Sequence, residues 1–283
     1  MEIAIKYTNN RGESIIFGGE ETELHFFENS LRSAKWSYSI DNGRLNEFYK
    51  DTEELELKVG IAAESEDSGL ELRERLISIT ERDIVDKKPG KITINGWNLD
   101  CYVFARDANN WWYSGKYFEC TLSILVLARE WYKLNTYHFD NENYSQGDYE
   151  YLDFSYDYPH DYNSGSRKTS TINNTSLLQC DVIIRIYGPA HSPSIDIDNN
   201  RYGVNVNVPE FGILEINSED KTVLLYDAYG NASNVFGKRL VGGKGSGSYI
   251  FETVKEGLSS VSSSNASSYD IVIKEKRSEP VWS

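Results

Sequence analysis

Residues 117–127, YFECTLSILVL, place Phe118, Cys120, Leu122, Ile124 and Val126 on one side of an extended chain and Glu119, Thr121 and Ser123 on the other. A period of two is what a strand with one buried face requires, whereas a helix would scatter the same side chains around its surface. The stripe is the core face of a long strand. The fold class then depends on how often this pattern returns.

Upstream it returns in residues 91–95, 99–105 and 36–40, and in residues 55–61 through Leu55, Leu57, Val59 and Ile61. Residues 2–7 and 14–17 flank the turn residues Asn9-Asn10-Arg11-Gly12, which predicts an opening hairpin. One stretch carries a helical period instead. Ser68 precedes Leu72, Leu76 and Ile79, and Glu71 stands three residues after it in the arrangement of a capping box. Glu71 and Arg75 are four apart on the wet side, and Pro89 disfavours helical geometry at Lys88, so the expected helix spans residues 68–85. The first half therefore reads as a β-sandwich or half-barrel with one helix laid across it.

In the second half, residues 181–187, 194–197, 202–208, 211–217, 222–226, 249–254 and 269–274 read as short strands separated by turns. That spacing belongs to a sandwich or jelly roll. Two Gly/Ser-rich stretches, GGKGSGSY from Gly242 and SSVSSSNASSYD from Ser259, read as loops between strands. The expected division is residues 1–140 and 141–283, with a mainly β fold in both.

Composition excludes much. The chain has 283 residues, 44 acidic against 29 basic, a net charge of −15 and a mean hydropathy of −0.54. So acidic a balance argues against specific nucleic-acid binding, and no apolar run approaches the ~20 residues of a membrane span. The opening MEIAIKYTNNRGES lacks a basic segment followed by an apolar one, so no secretory signal is expected. Cys101, Cys120 and Cys180 are odd in number and widely spaced, which fits reduced, buried thiols made in a reducing compartment. His25, His138, His160 and His191 show no metal-binding spacing. The glycines around Lys244 miss the phosphate-loop pattern, and no Gly-x-Ser-x-Gly elbow is present. The segment Asp196-Ile197-Asp198-Asn199-Asn200 opens like a calcium loop, yet Arg201 and Asn207 stand where glycine and glutamate belong, so it reads as a polar turn. No catalytic residue, metal site or cofactor is expected.

Two features point to contact surfaces. Residues 137–162 hold seven Tyr and seven acidic residues with no Lys or Arg. They read either as a connector plus the first strand of the next domain or as a surface against a neighbouring subunit, since Tyr buries much area at low entropic cost. Trp111 and Trp112 lie in the polar stretch DANNWWYSG. The candidate subunit or partner contacts are Trp111, Trp112, Tyr149, Tyr151, Tyr156 and Tyr158. Sugar stacking on Trp and Tyr gives the alternative, a carbohydrate-binding module acting in host-surface adsorption.

The order of the elements resembles the distal tail (Dit) proteins of long-tailed bacteriophages and phage-derived tail particles. KYTNNRGESIIF resembles that family's first hairpin. DKKPGKITINGWNLDCYVFA resembles its strand pair after the helix, and TLSILVLAREW the end of its first domain. YDYPHDY and VIIRIYGPAHSPSI resemble the start of its second domain, and YDIVIKEKRSEPVWS its terminal strand. The resemblance implies a structural, non-enzymatic protein without cofactors. Its N-terminal domain would form a homo-hexameric ring at the end of the tail tube, and a C-terminal galectin-like β-sandwich would project outward. Tail tube protein, tail-tip protein and receptor-binding protein would be its partners, at the distal end of the virion tail, with DNA passing through the ring. Six copies at −15 each carry 90 net negative charges, which would repel DNA from the wall of such a channel.

Overall fold

The structure is a computed structural model that describes residues 3–19, 23–111, 116–140, 170–266 and 268–281. It divides into two compact units, Met1–Lys133 with Lys276–Ser283, and Leu134–Glu275. The expected boundary at 140/141 thus falls earlier, and the last eight residues return to the first unit. Both differences have one origin: the chain changes unit in the middle of two strands, where alternation continues and composition gives no break.

In the first unit, β1 (Ile5–Thr8) and β2 (Ser14–Phe17) form the opening hairpin, followed by β3 (Leu24–Asn29), β4 (Ser37–Asp41), β5 (Arg44–Tyr49) and β6 (Glu53–Ala62). Helix α1 (Glu66–Asp86) precedes β7 (Gly90–Ile94), β8 (Trp97–Trp111), β9 (Tyr117–Val126) and β10 (Trp131–Asp140). The long β8 belongs to two sheets. Its first residues pair with β7 and its later ones with β9, giving the orders β2-β1-β7-β8 and β8-β9-β6-β3. The apolar face of β9 is buried between them with Ile5, Phe17, Leu57, Val59, Ile92 and Leu99. A sandwich bent around one strand results.

Helix α1 buries Leu76 and Ile79, and Leu72 packs against the same core. Its cap differs from the expected one. Ser65 is the N-cap, its side chain accepting from the Ser68 N–H at 3.1 Å while the Ser68 hydroxyl accepts from the Ser65 N–H at 3.2 Å. Ser68 is thus the reciprocal partner three residues inside, and Glu66 and Asp67 complement the dipole of the first turn. The helix closes on Lys87 in the left-handed region, just before Lys88-Pro89.

The second unit contains β11 (Ser170–Asn174), β12 (Asp181–Tyr187), β13 (Ala190–His191), β14 (Ser194–Ile197), β15 (Asn200–Gly203), β16 (Asn207–Val208), β17 (Ile213–Asn217), β18 (Thr222–Tyr226), β19 (Ala232–Asn234), β20 (Gly257–Ser264) and β21 (Ser268–Arg277). Sheet β19-β18-β17-β12-β21 supplies Ile184, Ile186, Leu214, Ile216 and Ile271 to one core; sheet β11-β20-β14-β15 supplies Ile172, Ile195, Ile197, Tyr202 and Val261. Two antiparallel sheets facing across one apolar layer form a β-sandwich.

Three expectations change here. SSVSSSNASSYD is no loop, because β20 runs through it and pairs with both β11 and β14, hiding Ser259 and Val261 while Ser260 and Ser262 face out. Residues 249–254 are no strand; Ile250 and Phe251 plug the core from a turn, and only Val254 bridges to Cys180. Residues 202–208 break where the Val206 N–H turns back to the Val204 carbonyl at 3.0 Å. The Gly-rich stretch from Gly242 is a loop, and residues 196–200 include the turn between β14 and β15. Among the described residues no helix is long and apolar enough to cross a membrane.

Candidate functional site

The hairpin of β4 and β5 pairs with no other strand among the described residues. Asn42 and Gly43 both take positive φ, 49° and 75°, between the register pair Asp41 and Arg44. Asn-Gly in this conformation is the tight turn whose twist matches its flanking strands. Tyr38 stands opposite Phe48 and Ile40 opposite Leu45, so all four share one face. Each is more than half exposed, and the Tyr38 and Phe48 rings meet edge to face at 6.3 Å. The reverse face carries Ser39, Glu47, Asp41 and Arg44. At the root, Lys50 lies 4.1 Å above the Trp36 ring and donates to the Lys35 carbonyl and the Ser278 hydroxyl. A lone two-stranded hairpin is marginal in water, and one with a contiguous apolar face in solvent is a surface built to be covered. The residues 36–40 expected to be half buried are instead largely exposed, with no layer over them among the described residues.

Trp111 ends β8 opposite Phe118, and Trp112, Tyr149, Tyr151, Tyr156 and Tyr158 lie outside the described residues. Residues 36–40 read as a strand, and in SYSIDNGRLNEFY the pair Asn42-Gly43 between alternating runs was the available signal for the hairpin that returns from it.

Titrating groups are arranged for structure. His138 Nδ1 lies 2.5 Å from Asp270 Oδ1 and Nε2 lies 3.2 Å from Asp140 Oδ1, while the Tyr187 hydroxyl donates to Asp270 Oδ2 at 2.6 Å. The hydrogen bond to Asp270 raises the His138 pKa. Burial opposes ionisation of Asp270, yet the bonds from His138 and Tyr187 hold it below the usual carboxylate range. With a carboxylate on each ring nitrogen, this imidazole has no free position for proton transfer to a substrate. All three cysteines are buried thiols outside any disulfide; burial pushes the Cys120 thiol up to about 11 and Cys101 higher still, so neither is a thiolate nucleophile at neutral pH. Among the described residues no group of three or more His, Cys, Asp or Glu could hold a metal ion.

A cleft of about 310 Å³ in the second unit is lined by Asp198, Asn199, Asn200, Gly247, Glu252 and Lys255, among others. Much of its polarity is used internally. Asn200 exchanges two hydrogen bonds with the Tyr249 backbone, Glu252 accepts from the Gly245 N–H, and Asp198 accepts from the Ser260 N–H. Among the described residues its one aromatic lining residue, Tyr202, is buried and donates to the Glu252 carbonyl, so that ring is not open to a sugar.

No protein-family model matches the chain, and no curated protein matches it. Solved structures do. The Dit protein of SPP1, described as a paradigm of the hub adsorption apparatus in phages infecting Gram-positive bacteria, superposes with a TM-score of 0.59 at 12% identity, over 97% of this chain and 99% of that one. A chain of the phage p2 baseplate in its activated conformation with Ca gives a TM-score of 0.62 at 14% identity, over 99% and 100%; the same baseplate with Sr gives 0.61. The order of elements that resembled distal tail proteins in the sequence is matched by the fold: from end to end, this chain has the architecture of SPP1 Dit and of a phage p2 baseplate subunit.

Proposed function

We propose that this protein is a non-enzymatic distal tail component: six copies form a ring that joins a phage tail tube to the tail-tip and receptor-binding apparatus. The observation that carries this reading is that the likeness runs through both units, in order, over 97% or more of the chain. A sandwich alone would be shared by unrelated activities, but this pairing of units is far more particular. The apolar face of the β4–β5 hairpin, exposed among the described residues, supports it physically, because contiguous apolar patches mark interaction surfaces. Cysteines held as thiols and a histidine locked between carboxylates support the absence of catalysis.

Native mass spectrometry and negative-stain imaging of the purified full chain test the reading. Closed particles of six copies are the expected result. A strictly monomeric chain that binds a glycan array would replace it with the carbohydrate-binding alternative.

A further inference from the structure

The outer side of α1 and the bend of β8 enclose a cleft of about 350 Å³, with Thr80, Ile84 and Val85 on one wall and Val103, Phe104 and Arg106 on the other. Ile84, Val85 and Phe104 are exposed there, Val85 to 72%. The register of β8 on β9 shifts between Val103 and Ala105, which makes Phe104 the extra residue of a bulge. Bulges re-aim side chains, and this one leaves a phenyl ring on the surface. Arg106 spans the cleft to Glu81, Nη2 to Oε1 at 2.6 Å, and sets an acid–base pair across it.

We propose that this cleft receives the tip of the β4–β5 hairpin of a second copy of the chain, an inference that rests on the ring assembly above. The tip, Ile40-Asp41-Asn42-Gly43-Arg44-Leu45, carries one apolar register pair, Ile40 with Leu45, and one charged pair, Asp41 with Arg44. The cleft offers the counterpart of each. Ile84, Val85 and Phe104 meet Ile40 and Leu45; the exposed part of the Arg106 guanidinium meets the Asp41 carboxylate, and Glu81 meets the Arg44 guanidinium. A hairpin tip entering a cleft touches both walls, so its apolar and charged faces are both used. Two acid–base pairs of opposite order also fix the direction of insertion, since the reversed tip would set like charges together. Hairpin and cleft are unlike surfaces on the same unit, which is the heterologous contact that a closed ring repeats.

The test uses the full chain with Ile40→Cys and Val85→Cys, singly and together, treated with a short bismaleimide; the three native cysteines are buried and do not compete. The double variant is expected to give a ladder of covalent multimers ending at the ring, at least ten-fold above either single variant. Phe104→Asp added to it should cut that yield at least ten-fold without moving the thermal unfolding midpoint. Rings that form without coupling position 40 to position 85 would overturn this docking and leave the ring intact. A coupling confined within one chain would also overturn it. A chain monomeric at every concentration would overturn both the docking and the ring.

Discussion

At the scale of single residues, the sharpest constraint is a carboxylate with no exposed surface. Asp83 accepts from the Tyr7 hydroxyl through Oδ2 and from the Asn10 N–H through Oδ1, the latter at 2.7 Å. Burial, and after it the bond to Asp83, raises the Tyr7 pKa far above its ordinary value, so the phenol remains a donor. Gly90 leaves the room for this pair: a Cβ there would stand 2.2 Å from Asp83 Oδ2 and 2.7 Å from the Tyr7 hydroxyl. Tyr7→Phe should cost roughly 1–3 kcal/mol by stranding a buried oxygen, and Gly90→Ala at least as much; urea midpoints unchanged in both variants would refute this account. His138 gives a pH-dependent counterpart. Its folded pKa is raised, so its contribution is complete below the ordinary 6.5 and fades as pH climbs through the folded value. Asp270 is depressed, so its contribution holds above its ordinary 3.8 and is lost in acid. Both act between 3.8 and 6.5. His138→Gln should therefore lose most stability relative to the native chain inside that window, and the gap should close several units above it; a gap that widens with alkalinity would show the sign to be wrong.

At the scale of elements, helix α1 shows why a correct element can carry a misplaced cap. SEDS and SGLE both begin with serine, and glutamate three residues on favours the second, but residues 65–68 already satisfy both reciprocal bonds with two serines. Ser65→Ala should thus destabilise by about 1 kcal/mol, the usual cost of losing an N-cap oxygen, and Glu71→Ala should leave the melting temperature almost unchanged. Strands with apolar inner faces, such as β6, β9 and β12, were legible because burial leaves an alternating trace. Strand β20 was not, since serine serves both its faces and composition mimics a linker. The hairpin was half legible: its alternation marked a strand, but no sequence pattern tells a face waiting for a partner from one covered within the chain. Replacing Tyr38, Ile40, Leu45 and Phe48 together by Ser or Thr separates those roles. The isolated chain should keep its melting temperature while its assemblies dissociate; a collapse in stability would mean the face serves the fold itself.

At the scale of the whole molecule, two cores are threaded by one chain that leaves the first unit within β10 and returns to it within β21. The last residues therefore serve a unit whose other residues end more than a hundred positions earlier. Lys276 pairs with Glu130 at 3.6 Å, Arg277 lies 4.8 Å from the centre of the Trp97 ring, Ser278 accepts from Lys50, and the Val281 carbonyl accepts from Asn95 at 2.8 Å. Pro280 is buried as well. Each contact is modest, with the exposed pairs worth well under 1 kcal/mol, yet together they brace the root of the hairpin and the β7–β8 turn. Ending the chain at Glu275 should weaken the first unit and spare the second, although the cut lies beside the second unit in sequence. Hydrogen exchange reads the two separately: amides of residues 91–101 should exchange at least ten-fold faster, while those of residues 182–186, which sit between two paired strands of their own sandwich, should keep native protection. Equal loss in both would show that the two cores unfold as one cooperative body, and loss confined to residues 182–186 would place the terminal segment with the second unit.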